Sequence, residues 1–359
     1  MWASRPAGRR DVGIAPYLPR GGFSAILRLE NRGAGNPRGA RPFPAHRRRR
    51  AGTVTTMDVI RFTTLPPDSP PFVLPELDDS GISRKFRNIP YAGTDNPCQM
   101  LDIYLPAEGD GPFPTLVQIH GGAFLGGDKH DGQCVYLMNG ILRGYAVVNV
   151  NYRLTGEALF PYPLYDVKAA VRFLRANAAQ YRLDPARFAA SGDSAGAWFA
   201  TMLGVTDGIA AMEDRTMGNA EESSAVQAVI GMFGVYDMAM QSRFTEDAPP
   251  MPSGNKLPNY TDNFVGAVCR DCPGLASLVS PASYVRKDCP PMLIQGGTCD
   301  EIVPYEASVE LVRRVEAVCG PGRAVLESLP GAKHGDPAYE TPERERSRFD
   351  FLDRVFGLA

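Results

Sequence analysis

Gly192-Asp193-Ser194-Ala195-Gly196 sets a serine between glycines two residues to either side. A nucleophilic serine held on a sharp strand-to-helix turn sits in strained backbone, and its neighbours must lack bulk so that the chain can pass close by. The pattern follows the short β-rich run Arg187-Phe188-Ala189-Ala190 and opens a stretch of small residues, which is the strand-then-helix context it needs. The first amides of such a helix favour negative charge on a nearby oxygen. Ser194 is therefore the candidate nucleophile for acyl transfer, with the Ala195 amide as one oxyanion donor.

Three further groups complete that chemistry. His120-Gly121-Gly122-Ala123-Phe124 ends an earlier apolar strand. Bare glycine backbone there can turn its N–H groups toward the reacting oxygen, each donor lowering the barrier by roughly 3 kcal/mol. Gly121 and Gly122 are the expected donors. Serine needs a base, and the chain has only His46, His120, His130 and His334. His46 lies in an Arg-rich leader, His120 belongs to the glycine turn and His130 follows the loop 126–129. His334 remains, in a loop after the last strand and in the chain order serine, acid, histidine. Its imidazole in turn needs a carboxylate to fix the tautomer. Asp300, after the run Met292-Leu293-Ile294-Gln295, is the choice, with Glu301 beside it and Asp237 after an earlier strand as competitors.

The elements that must carry these groups alternate from about Ser83 onward, short β-rich runs with helical patterns, as in a mostly parallel α/β sheet with helices on both faces. Two strands near 84–91 and 100–105 flank a turn-forming Gly93-Thr94-Asp95-Asn96-Pro97. Strands follow at 115–119, 145–150, 187–190, 226–233, 291–295 and 324–329, with a helix expected over 133–142. Leu164, Val167, Val171 and Leu174 recur at helical spacing and predict a helix that turns Lys168, Arg172 and Arg175 outward. Between Met238 and Val279 the pattern dissolves into Pro, Asn, Asp and Gly, a connection long enough to read as a small lid insertion over about 238–279.

With these motifs in place, the chain from about Asn88 to its end resembles the bacterial carboxylesterases of the α/β-hydrolase fold, related to the hormone-sensitive-lipase and feruloyl-esterase-like groups. The likeness rests on residues 100–104, 120–124, 150–154, 192–196, 280–283, 300–304 and 334–335. It departs at Ala197, where many relatives have another glycine. The resemblance implies an acyl-enzyme on Ser194, proton transfer by His334 and release by water, with no metal or organic cofactor. It suggests short or medium acyl esters, aryl esters or acetylated sugars as small-molecule substrates, and Phe124, Tyr152, Trp198 and Phe199 as candidate apolar linings. An amidase or peptidase of the same fold is the rival within enzymes. A ligand-binding protein on a retired hydrolase scaffold is the rival outside them, although such proteins tend to lose a triad member and none is missing here.

Composition bounds the rest. The net charge of -2 hides an asymmetry: residues 1–56 hold twelve Arg against Asp11 and Glu30, leaving 26 basic and 38 acidic residues from Met57 onward. The leader has too little apolar surface to offset the entropy of ordering it and reads as disordered, or as untranslated if the chain begins at Met57. The acidic remainder, 57–359, is expected to be one hydrolase domain with no nucleic-acid partner. No run approaches a membrane span or a secretory segment, so a cytoplasmic location is expected. Seven cysteines, an odd number, argue for reduced thiols, and although Cys269 and Cys272 form one close pair, Cys289 and Cys299 form no second pair of the kind a zinc site needs.

Overall fold

The alternation of apolar runs and amphipathic segments resolves into one eight-stranded sheet in the computed structural model, which describes residues 61–62, 76–248 and 259–358. The leader 1–56 and the start at Met57 lie outside the described residues. The strands are β1 (Lys85–Pro90), β2 (Met100–Tyr104), β3 (Phe113–Ile119), β4 (Ala146–Val150), β5 (Leu183–Asp193), β6 (Ala228–Met232), β7 (Met292–Gly297) and β8 (Ala324–Leu329). They lie in the order β8-β7-β6-β5-β3-β4-β2-β1, with β1, β2 and β4 paired antiparallel and the remainder parallel. Every residue of β3, β4, β6 and β7 is buried, as expected of central strands covered on both faces.

Helices α1 (Tyr162–Ala176), α2 (Ala195–Val205) and α6 (Tyr305–Cys319) contribute to the hydrophobic core on one face. The other face is covered by α7 (Pro342–Phe356) and two 3-10 turns, Gly132–Val135 and Met138–Arg143. Those turns replace the helix expected over 133–142. Asp131 caps the first, and Gly140 sits so close to Leu116 and Val147 that this segment hugs the sheet in tight turns.

One further expectation is corrected. Lys168 and Arg172 on α1 do not face solvent, because the segment 206–226 folds over them: Lys168 donates to the Thr206 carbonyl at 2.8 Å, and Arg172 pairs with buried Glu213 at 2.8 Å. The described part of 238–279 is helical, as α3 (Met238–Asp247), α4 (Tyr260–Val265) and α5 (Pro273–Val279). These helices are too short to show periodicity in sequence. Asp237 and Asn259 cap the first two, and Tyr260, Phe264, Ala276 and Val279 anchor the segment in the core.

Among the described residues no helix is long and apolar enough to cross a membrane. All seven cysteines are unbridged.

Arg348 of α7 ties this scaffold to the site. Almost fully buried, it donates to Gln295 Oε1 at 2.9 Å and to the carbonyls of Tyr136 and Tyr339. Burial pulls its guanidinium down to about 10. Arg348→Ala leaves three acceptors without a donor as well as a cavity, and should cost about 3 kcal/mol in urea unfolding.

Candidate active site

The sheet delivers four chain segments to one place, the carboxyl ends of β3, β5, β7 and β8, where an open α/β sheet binds ligands. Ser194 lies between β5 and α2 with φ 51° and ψ -118°, a conformation that non-glycine residues rarely adopt. Glycine is required on both sides of it. A Cβ on Gly192 would lie 2.2 Å from the Gly196 carbonyl carbon, and one on Gly196 would lie 2.0 Å from the Ile119 carbonyl oxygen. The start of α2 is thereby pressed against the end of β3, next to the His120 turn. The Ser194 N–H donates to Met232 O at 2.9 Å, which anchors the elbow to β6.

His334 comes from the loop after β8, which is stitched to the loop after β7. Thr298 N–H donates to Leu329 O at 3.1 Å, Cys299 N–H to Ala332 O at 3.0 Å and Gly331 N–H to Thr298 Oγ1 at 2.9 Å. A Cβ at Gly297 would lie 2.4 Å from Ala332 O, so glycine permits this approach. Asp300 is thus set beside His334. Its Oδ1 accepts from the amides of Ile302 and Val303, both at 2.9 Å, and its Oδ2 lies 2.8 Å from His334 Nδ1. On the other edge of the ring, His334 Nε2 is 3.0 Å from Ser194 Oγ. The structure therefore brings Ser194, His334 and Asp300 into one hydrogen-bonded line in which all three side chains are largely buried.

The competing acids are engaged elsewhere. Glu301 pairs with Lys333 at the surface, at 2.9 Å, and Asp237 caps α3 through Met240 N–H at 2.8 Å. The backbone N–H of His130 donates to Asp128 Oδ1 at 2.9 Å, in the loop after the glycine turn.

At the glycine turn the structure differs from the sequence expectation. Gly121 is closed in by the buried Asp193 carboxyl, whose Oδ2 would lie 2.6 Å from a Cβ at this position. Gly122 has φ 100°, and Ala123 and Phe124 also take positive φ, at 57° and 61°. This curl leaves the amides of Gly122, Ala123 and Ala195 without an acceptor among the described residues. Ala123 was missed because an alanine gives no sign in sequence that it will adopt a glycine-like φ. Tyr152 grips the turn from below, its hydroxyl donating to His120 O at 3.0 Å and reaching Gly121 O at 3.2 Å. Its ring stacks on His120 at 4.5 Å, and burial holds the His120 imidazole below its ordinary value and so neutral.

Phe233, after β6, is a second residue that the sequence did not flag. Its φ of 39° is unusual for an aromatic residue, and its ring edge meets the His334 ring at 4.7 Å and Tyr339 at 4.6 Å. The apolar linings suggested by resemblance are core instead. Phe124, Tyr152, Trp198 and Phe199 are at most 1% exposed, with Phe124 stacked on Phe264 at 4.1 Å and Trp198 donating to Val279 O at 2.8 Å.

The sheet order, the elbow between β5 and α2 and the crossover helices define an α/β-hydrolase. Within that class, the BD-FAE family model matches residues 101–315, more than half of the chain, and the protein belongs to that family. Esterase LipC of Mycobacterium tuberculosis is 28% identical over 248 residues, which cover 67% of this chain and 58% of that protein. The chain thus spans a little over half the length of the curated relatives it matches first. Among solved structures, a truncated form of a carbohydrate esterase from gut microbiota superposes with a TM-score of 0.65 at 29% identity, covering 76% of this chain and 96% of that one. A bifunctional GH43-CE of Bacteroides eggerthii gives the same TM-score at 31% identity, covering 76% of this chain and 35% of that one.

The elbow's steric demand is testable by one methyl group. Gly196→Ala forces backbone against backbone and should lower stability by about 3 kcal/mol in thermal or urea unfolding. Gly274→Ala, which meets nothing within 4 Å, should change it by less than about 0.5 kcal/mol.

Proposed function

We propose that the protein is a serine carboxylesterase that works through an acyl-enzyme on Ser194. The observation that carries this reading is the hydrogen-bonded line from Ser194 Oγ through His334 to Asp300, at 3.0 and 2.8 Å, on a strained elbow. Asp300 has one oxygen fixed by two amides and the other facing Nδ1, so the imidazole carries its proton on Nδ1 and offers the Nε2 lone pair to the serine. Ser194 Oγ attacks the ester carbonyl carbon as its proton passes to His334 Nε2. The new oxyanion is received by the amides of Gly122, Ala123 and Ala195, which are preorganised and need no rearrangement. His334 then gives that proton to the departing alcohol oxygen. Water, deprotonated by the same imidazole, attacks the acyl carbon and frees Ser194 with the carboxylic acid.

The substrate class is a small carboxylic ester with a short or medium acyl group, an aryl ester or an acetylated sugar. The sugar option is supported by the likeness to a carbohydrate esterase. A cytoplasmic place of action and the lack of a nucleic-acid partner belong to the same reading. The acidic excess of residues 57–359, 38 against 26 basic, opposes binding to a polyanion.

The full chain should hydrolyse p-nitrophenyl acetate and butyrate, and Ser194→Ala should lower kcat by about 10⁴-fold or more. Turnover that survives this substitution would sink the proposal. Asp300→Asn leaves the line's geometry but fixes the wrong tautomer, and should lower kcat by about 10⁴-fold with KM little changed. A loss under tenfold would move the acid's role to another carboxylate.

A further inference from the structure

Gly192 faces α2, so by the alternation of a strand Asp193 projects to the opposite side of the sheet, beneath the glycine turn. It is 3% exposed and adjoins the nucleophile. Its Oδ2 and Gln133 Oε1 both press on Gly121, within 2.6 and 2.5 Å of the place a Cβ would take. The same face carries a polar row across β5, β3, β4 and β2, made of Ser191, Gln118, Asn149 and Asp102 in register. In that row Ser191 Oγ, both side-chain polar atoms of Gln118 and Asn149 Oδ1 are buried without a partner.

The titratable groups facing Asp193 are Asp131 and Cys134 from the segment after the turn, then Tyr136, and Tyr152 after β4. His120, in the turn itself, faces Asp131. None of these is a cation. Gln133 Nε2 donates to Asp131 Oδ2 at 3.3 Å, and Asp131 also accepts from Gln133 N–H and Asp128 N–H, both at 2.9 Å. Burial first, and the Asp131 carboxyl second, push the Asp193 carboxyl well above the ordinary carboxylate range. An anion here would face no cation in a low-dielectric interior, against the glycine turn that is to receive the oxyanion.

We propose that Asp193 is a positioning residue for ester hydrolysis that works as a neutral, protonated carboxyl: packed against Gly121, it fixes the turn that presents the Gly122 and Ala123 amides. The inference rests on the esterase reading above. Loss of the Asp193 proton as pH rises puts a negative charge against the glycine turn, so kcat falls on the alkaline side while substrate binding is little affected.

The test compares the full-length wild type with Asp193→Asn and Asp193→Ala, measuring kcat and KM for p-nitrophenyl acetate across pH. The infrared difference spectrum between wild type and Asp193→Asn is recorded at neutral pH without substrate. Asn keeps the shape and stays neutral, so it should retain kcat within about threefold and lose the alkaline fall. Ala releases the turn and should lower kcat by about 10²-fold with KM nearly constant, the scale of a small misplacement at a reacting centre. The infrared difference should contain the carbonyl band of a protonated carboxyl. Two outcomes overturn the proposal: absence of that band, or equal losses in Asn and Ala at unchanged thermal stability. A band without wild-type turnover of any ester overturns the esterase reading instead.

Discussion

The whole arrangement depends on one steric constraint, the contact of backbone with backbone where β5 turns into α2. Ser194 can occupy its strained conformation only because Gly192 and Gly196 present no side chain to each other or to the Ile119 carbonyl. That contact fixes the start of α2 against the end of β3, which fixes the serine hydroxyl, the Ala195 amide and the His120 turn relative to one another. All eleven residues of α2 are buried, so the strain is held by packing on every side. The central strands around it are buried on both faces, and no neighbour can relax far enough to release the turn.

Around this fixed point the remaining groups are held by backbone as much as by side chains. Asp300 is oriented by two amides of its own loop, and that loop is bonded to the one carrying His334. The imidazole is packed by Phe233, which leans on Tyr339, whose carbonyl is in turn held by Arg348. Such a chain of supports matters because a hydrogen bond directs catalysis only if both partners already stand in place when charge develops. On the opposite side the Tyr152 hydroxyl bonds to the glycine turn and the Asp193 carboxyl packs against it.

The fold class and the residues of the hydrogen-bonded line were legible in the sequence because each left a local mark. The elbow has its two glycines, the last strand is followed by the one histidine with no other evident place, and the acid follows an apolar run. What stayed illegible depended on tertiary contacts. Lys168 and Arg172 look like the solvent face of α1 until the segment after α2 covers them. The helices of 238–279 are stabilised by caps and a few buried aromatics, which is too short a pattern for periodicity to reveal. Gly121 and Gly122 look like the pair of oxyanion donors in sequence, and only the fold shows Asp193 packed on Gly121 and a positive φ carried on through Ala123.

The central claim is that Ser194 is a nucleophile activated through His334, and covalent labelling tests it most directly. Treatment of the full chain with a fluorophosphonate, followed by peptide mass analysis, should find a single adduct on Ser194, and His334→Ala should slow its formation by orders of magnitude. Labelling at another residue, or equal labelling of Ser194 in His334→Ala, would contradict the account.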